Sequence, residues 1–290
     1  MRKIFFITAW IALGFSVSQW VSALLYQPHY FPYDFREPPE RGMFEGRFQH
    51  LQTLQSFQDY MDSLARAKNI AVEDSPDFVN ELDTLIRKRF YHGYATYKWK
   101  DNYIIWLLGN FVWSHLHGIV KPEDIVKRND AMCSQQAIIF MELLKQRGYQ
   151  VRKAALNNHF CSEVFYKGKW HLYDTNNEIY FKDKNNIPSL QELVDKKDSL
   201  VPQELYPKKT PEEAITLLNI DKAVVGKINE FPARKALILH RVTHFLSHTL
   251  WLFLFLIWYI YKNKKKTSAT IKTPKKVKLS RKVQKQTTLT

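Results

Sequence analysis

Two uncharged apolar runs near the ends of the chain place the strongest constraint on its fold. Residues 4–25 and residues 242–261 contain no Lys, Arg, Asp or Glu over 22 and 20 positions, respectively. A helix of about 20 apolar residues is long enough to cross a hydrocarbon core of roughly 30 Å. The sequence therefore predicts two transmembrane helices, with the other residues folded between them or placed in a tail.

Basic residues predict the orientation of these two helices. Arg2 and Lys3 precede the first run, and the tail at residues 262–290 contains ten lysines, one arginine and no acid. Basic residues favour the cytoplasmic side of a membrane, so both ends are expected in the cytoplasm. Residues 26–241 are then expected on the other side of the cell (inner) membrane, in the periplasm or at the cell exterior.

The first apolar run has a second interpretation as a cleavable signal peptide. Residues 21–23 read Val-Ser-Ala, which resembles the small-residue site cut by signal peptidase. Residues 1–25 are therefore either a retained anchor or a signal that is removed after export. Both interpretations place the central part of the chain outside the cytoplasm.

The formal net charge of +15 is concentrated at the two ends of the chain. The tail contributes +11 and the first three residues +2, which leaves 30 basic and 28 acidic residues in between. A nearly neutral domain argues against nucleic acid as a partner. The basic tail is most simply the determinant of topology, and its attraction to anionic lipid follows from the same charge.

The remaining boundaries follow from proline content and apolar periodicity. Residues 26–47 contain four prolines among many aromatic residues, so a linker rather than a helix is expected there. Residues 48–241 are expected to form one extracytoplasmic domain with its core at residues 97–182. Apolar residues at spacings of three and four predict helices at residues 48–68, 75–90 and 101–116.

A helix followed by three strands is predicted in the middle of the domain. Residues 131–146 have helical periodicity, and Gly148 is a natural stop for that helix. Alternating patterns then predict strands at residues 149–156, 160–166 and 170–173, the last two joined by a tight turn. This order indicates an α+β fold in which an antiparallel sheet packs on one helix.

Three residues of this helix and sheet could together activate a thiol nucleophile. Cys133 lies near the start of the predicted helix, where the helix dipole lowers a thiol pKa. His159 is near the start of the second strand and Asp174 ends the third. A hairpin joins these two strands, so the imidazole and the carboxylate are expected to be neighbours. Cys133, His159 and Asp174 are therefore the candidate nucleophile, base and orienting acid.

The stretch at residues 130–176 resembles the core of the transglutaminase-like superfamily, relatives of papain-type cysteine proteases. The resemblance lies in the order of its parts: a cysteine at a helix start, an aliphatic helix, a glycine, a basic strand, a histidine, a tryptophan after a hairpin, and an aspartate. These parts are Cys133, residues 138–144, Gly148, residues 151–152, His159, Trp170 and Asp174. The resemblance implies a papain/transglutaminase-like fold, flanked in this chain by the two transmembrane helices.

The same resemblance implies acyl transfer through a thioester at Cys133, with no cofactor. With water as acceptor the enzyme would be a hydrolase, such as a protease or amidase; with an amine it would be a crosslinking acyltransferase. The expected substrate is a protein, peptide or other amide-bearing molecule outside the cytoplasm. The alternative is a catalytically degenerate domain of the same fold that serves as a binding or assembly module at the membrane.

An oxyanion hole would combine the backbone N–H of Cys133 with one further donor. Papain relatives place a glutamine six residues upstream of the cysteine, where this chain has Lys127. Family members with an aromatic donor further upstream suggest Trp99 or Tyr97. Gln135 follows the cysteine on the helix and is expected to line the cleft or to pack.

Cys161 is the second cysteine of the chain. Residues two apart in a strand share a face, so Cys161 and His159 are expected to point the same way. In an oxidising compartment Cys161 could pair with Cys133 and silence it, or it could be a small buried residue beside the site. Zinc binding by these three residues would need a fourth ligand, and no acidic calcium loop is present, so no metal is expected.

Overall fold

A computed structural model describes residues 2–25, 44–156, 159–181, 186–221 and 223–271. Most of the expected linker and the end of the basic tail, residues 26–43 and 272–290, lie outside these ranges. The chain forms two compact units. The first comprises Met1–Ser18 with Leu246–Thr290, and the second comprises Gln19–Phe245.

Two long apolar helices begin and end the described chain. Helix α1 covers Arg2–Leu24 and helix α10 covers Arg234–Ile271. Spans of 22 and 31 residues within them are long and apolar enough to cross a membrane. Helix α10 begins eight residues before the uncharged run predicted from the sequence, so its first two turns still carry basic residues.

The first unit is held together by polar and aromatic contacts between these two helices. The hydroxyl of Ser16 donates to the carbonyl oxygen of Ser247 at 2.6 Å. The rings of Phe6 and Trp258 lie 5.1 Å apart. Small hydroxyl residues let helix backbones approach closely, which is how helices associate in an apolar environment.

Helices make up the first half of the second unit. Thr53, Ser75 and Asn102 each accept a backbone N–H at a helix start, so local capping chemistry sets three of the helix beginnings. The helices are α2 (Leu54–Lys68), α3 (Pro76–Arg89), α4 (Tyr103–Phe111), α5 (Pro122–Ile125) and α6 (Cys133–Gln146).

An antiparallel sheet of four strands follows, in the spatial order β3-β2-β1-β4. Lys167 and Gly168 form the turn between β2 and β3 with φ angles of 48° and 79°, the left-handed values that a tight hairpin requires. The strands are β1 (Gln150–Leu156), β2 (His159–Tyr166), β3 (Lys169–Tyr173) and β4 (Val224–Val225). Three short helices lie between β3 and β4: α7 (Leu190–Asp195), α8 (Pro202–Leu205) and α9 (Pro211–Leu217).

The two faces of the sheet contribute to different apolar clusters. Val151, Val164 and Tyr166 cluster with residues of α3 and α6. Ala154 and Cys161, which are paired across β1 and β2, cluster instead with residues of α7 and α9. The prediction of a mixed α and β fold with an antiparallel sheet on the cysteine helix is confirmed, and the two apolar helices are present. The sheet has a fourth strand that the sequence pattern did not indicate.

Candidate active site

Cys133 is the first residue of α6. The predicted helix started two residues earlier, and the later start places the thiol in the first turn, where the N–H groups have no partner in the helix. Met132 before it is extended, with φ −80° and ψ 171°. Cys133 is partly exposed, and the helix dipole at this position favours the thiolate form of its sulfur.

Gln135 fixes the beginning of α6 with all of its amide hydrogen-bonding groups. Its Oε1 accepts the N–H groups of Met132 at 3.1 Å and Ala95 at 3.0 Å. Its Nε2 donates to the carbonyl oxygens of Ala95 and Ile119, both at 2.8 Å. The side chain is buried. Of the two roles expected for Gln135, packing is therefore the one observed, and it holds the turn that carries Cys133.

His159 opens β2 and lies against Asp174. Its Nε2 donates to Asp174 Oδ2 at 2.6 Å, and the imidazole is 7% exposed. Burial by itself disfavours the charged ring. The Asp174 carboxylate, together with contacts to both cysteines, nevertheless holds the pKa of His159 well above its usual range.

Asp174 is buried and accepts several hydrogen bonds. Its Oδ1 accepts the backbone N–H groups of Asn176 at 3.1 Å and Asn177 at 3.0 Å. Its Oδ2 accepts the hydroxyl of Tyr206 at 3.1 Å in addition to His159. Burial raises the pKa of a carboxyl group, but His159 and these donors together keep the pKa of Asp174 below its usual range. The residue is therefore a fixed anion.

The same imidazole affects the pKa of the Cys133 thiol. Burial raises the thiol pKa, whereas the hydrogen bond and charge of His159 and the backbone N–H of Phe160 lower it, and the net pKa is lower than usual. Because Nε2 of His159 is engaged by Asp174, Nδ1 is the ring nitrogen left for sulfur. A low thiol pKa beside a high imidazole pKa favours a thiolate–imidazolium pair.

Cys161 contacts His159 from a fully buried position. Burial and the nearby Asp174 carboxylate raise the pKa of this thiol to about 12, so it stays protonated where Cys133 ionises. Both cysteines are free thiols in the structure. A redox pairing of Cys161 with Cys133 stays a prediction.

Three buried groups of this site could in principle bind a metal ion. Ligand atoms of His159, Cys161 and Asp174 all lie within 4.8 Å of one another. The 2.6 Å separation of His159 Nε2 and Asp174 Oδ2 is that of a direct hydrogen bond. Two ligands of one tetrahedral zinc would lie about 3.3 Å apart. His159 and Asp174 are therefore arranged as a hydrogen-bonded pair with the Cys161 thiol beside them.

The two aromatic candidates for the oxyanion hole have other contacts. Tyr97 is buried, its hydroxyl donates to Asp124 Oδ2 at 2.9 Å, and its ring packs 5.1 Å from that of His240. Trp99 is 43% exposed, and its carbonyl oxygen accepts from Gln19 Nε2 at 3.4 Å. The single proton of the Tyr97 hydroxyl is thus engaged elsewhere.

Two residues of the site were not indicated by sequence reasoning. Tyr206 directly follows α8 and is 32 residues beyond the aspartate that it contacts, in a stretch without a clear pattern. Asn177 had a detectable signal, because an aspartate at the start of a polar segment commonly forms a turn in which its carboxylate accepts nearby backbone N–H groups. Only the second could have been found from the sequence.

A small cavity of about 60 Å³ lies behind the triad. Its lining includes Asp174 and the buried ion pair between Arg87 and Asp83. Arg87 also donates to the backbone carbonyl of Asp174 at 3.4 Å. Burial raises the pKa of Asp83 to about 6, although Arg87 acts in the opposite direction. This pair supports the backbone of the triad from the side of α3.

Comparison of the chain with protein-family models, with curated proteins and with solved structures finds no match.

Proposed function

We propose that the chain is a membrane-anchored cysteine enzyme that transfers or hydrolyses acyl groups with Cys133 as nucleophile. The observation that carries the proposal is one imidazole that is hydrogen-bonded to a buried carboxylate and lowers the pKa of a thiol at a helix start. His159 donates from Nε2 to Asp174 at 2.6 Å and lowers the pKa of the Cys133 thiol at the start of α6. Nucleophile, base and orienting carboxylate in this order are what a thiol enzyme needs.

The chemistry then follows from the protonation states of the three groups. The Cys133 thiolate attacks the carbonyl carbon of an amide, and its own backbone N–H, at the helix start, can stabilise the oxyanion. His159 gives its proton to the departing amine as the C–N bond breaks, which leaves a thioester on Cys133. Water or a second amine then attacks the thioester while His159 takes the proton of the attacking group, and the C–S bond breaks, which releases the acyl product and restores the Cys133 thiolate. Asp174 holds the imidazole in one tautomer throughout.

The proposal extends to family and location. The cysteine helix packed on an antiparallel sheet is consistent with the transglutaminase-like resemblance of residues 130–176, and we assign the central domain to that superfamily as part of this proposal. The two apolar helices support a membrane anchor. Placement of the domain in the periplasm or cell exterior follows from the distribution of basic residues.

Alkylation of the thiols tests the proposed catalytic pair. In the full chain, Cys133 should react rapidly with iodoacetamide near pH 7, and Cys161 slowly, because only Cys133 is partly exposed and has a lowered pKa. His159→Ala should slow the labelling of Cys133 at least about tenfold and shift its pH midpoint upward, towards about 8.5. Peptide mass spectrometry separates the two cysteines.

The exposed His50 provides a matched control. His50→Ala should leave the rate of Cys133 labelling within twofold of the wild type. Equal, slow labelling of Cys133 in wild type and His159→Ala would contradict the enzyme proposal and favour a binding or assembly module of the same fold.

A further inference from the structure

A second concave region lies at the start of α10 and shares no residue with the candidate active site. It has a volume of about 460 Å³, within the range of small-molecule sites. Its charged lining consists of four basic residues and one acid, Glu230. The basic residues, which define what we call the basic pocket, are Lys153, Lys227, Arg234 and Lys235.

The walls of the basic pocket are fixed by backbone hydrogen bonds. Gly226 N–H donates to the carbonyl oxygen of Lys153 at 2.8 Å, and Asn229 N–H donates to that of Val151 at 2.7 Å. The Asn229 side chain accepts in return from Val151 N–H at 3.0 Å. A Cβ on Gly226 would lie 3.1 Å from that of Lys153, so glycine permits the close approach. The segment between β4 and α10 is therefore pinned to the edge of the sheet.

The cations of the basic pocket have no acidic partner among the described residues. None of the four is within 4.0 Å of a carboxylate oxygen in that part of the chain. The ammonium of Lys153 lies 5.0 Å from the centre of the Phe160 ring. Four cations and one acid in one concavity create a positive potential that an anion would relieve.

The position of the basic pocket along α10 indicates where that anion comes from. Val242, where the uncharged run begins, lies seven positions, or about 10 Å of helix, beyond Lys235. The headgroup layer on each side of a bilayer is roughly 5–8 Å thick. If α10 crosses a membrane, a lysine or arginine side chain at the pocket reaches the level of the lipid phosphates.

Contacts of α4 also support a membrane boundary close to Val242, at the beginning of the uncharged run in α10. Asn102 caps α4 and donates to the hydroxyl of Thr243 in α10 at 3.0 Å. Trp113, which is 60% exposed, lies three residues before Leu116, whose carbonyl oxygen accepts from His240 Nε2 of α10 at 3.0 Å. Exposed aromatic side chains close to the beginning of an apolar helical run are typical of a membrane interface.

We propose that the basic pocket binds the phosphate of an anionic lipid headgroup. Lysine and arginine side chains supply charge-assisted hydrogen bonds to phosphate oxygens. Phe231, Pro232 and Ala233 add an apolar wall against which the glycerol part can lie. The site contains neither Cys133 nor His159, so the lipid proposal can be tested independently of the proposed enzyme activity.

Lipid binding to the full chain in neutral detergent tests this site. Wild type should retain fluorescently labelled phosphatidylglycerol saturably and at least about tenfold more tightly than zwitterionic phosphatidylcholine. The double substitution Lys153→Gln with Lys227→Gln should weaken phosphatidylglycerol binding about tenfold. The control Lys145→Gln with Lys196→Gln removes the same charge from exposed positions outside the pocket and should leave binding within twofold of the wild type.

Soluble ligands distinguish the source of the phosphate. Inorganic phosphate and glycerol 3-phosphate should displace the labelled lipid only at concentrations far above those of phosphatidylglycerol itself. Displacement at comparable concentrations would overturn the lipid assignment and identify a site for a soluble phosphate. Equal phosphatidylglycerol binding by the pocket variant and the control, with unchanged thermal unfolding of both, would overturn the phosphate site altogether.

Discussion

The imidazole of His159 lowers the pKa of both cysteines, whereas burial raises the pKa of both. It contacts Cys133 and Cys161, yet the first thiol has a lowered pKa and the second a raised one. The difference follows from burial, because Cys133 is partly exposed at a helix start and Cys161 is enclosed beside the Asp174 carboxylate. The same residue type thus has a lowered thiol pKa at position 133 and a raised thiol pKa at position 161.

Tyr206 is expected to position the triad through Asp174. Tyr206→Phe removes the hydroxyl that donates to Asp174 Oδ2 at 3.1 Å and leaves the other donors to that carboxylate in place. A hydrogen bond to a charged group contributes about 1.5–3 kcal/mol, so the free energy of unfolding should fall by about that amount. The pH midpoint of Cys133 labelling should also shift, which a purely structural residue would not cause.

Tyr180→Phe is the matched control, since this tyrosine is 52% exposed and lies near the same segment. It should change neither the unfolding free energy nor the labelling midpoint measurably. A Tyr206→Phe variant that labels with the wild-type midpoint would show that the hydroxyl only packs.

At the level of secondary structure, the side chain of Gln135 both caps the start of α6 and fixes the position of that helix start. Gln135 ties the first turn to the segments around Ala95 and Ile119, which lie in irregular structure before α6. The oxygen and nitrogen of one amide satisfy backbone groups from three places in the chain. The thiol position therefore depends on a contact that spans up to 40 residues.

Removal of this amide should destabilise the fold strongly. Gln135→Ala leaves buried backbone groups of Ala95 and Ile119 without this partner, at a cost of about 1–3 kcal/mol for each unsatisfied group. Thermal unfolding of the full chain should therefore occur at a clearly lower temperature. Gln191→Ala, which removes one exposed contact to Asp195, should change the midpoint little. Similar midpoints for the two variants would contradict the role assigned to Gln135.

The sequence predicts elements that depend on neighbouring residues, and it misses features that depend on residues far apart in the chain. The hairpin at Lys167 and Gly168, which joins the strands of the histidine and the aspartate, could be anticipated from turn chemistry and alternation. Strand β4 could not, because two residues carry no periodic pattern and pair only with the far edge of β1. Tyr206 likewise acquires its partner through tertiary packing alone.

For the whole molecule, one chain combines a long apolar helix at each end with a mixed α and β domain between them. The two helices also contact each other, through Ser16 and Ser247 within the first unit. An antiparallel pair of anchors would bring both ends of the chain to one side of a membrane. The side on which these ends lie determines the compartment that contains Cys133, and this side can be measured directly.

Cysteine accessibility should show the central domain outside the cytoplasm and the tail inside. In a background of Cys133→Ser with Cys161→Ala, Gln191→Cys places a thiol at an exposed position of the domain, and Ser280→Cys places one in the basic tail. A membrane-impermeant maleimide added to intact cells should label the first and leave the second unlabelled until the membrane is permeabilised. The eleven cations of residues 262–290 are the reason, because their transfer across the membrane is disfavoured. Labelling of the tail alone would reverse the topology and place Cys133 in a reducing compartment, where pairing with Cys161 would lose its basis.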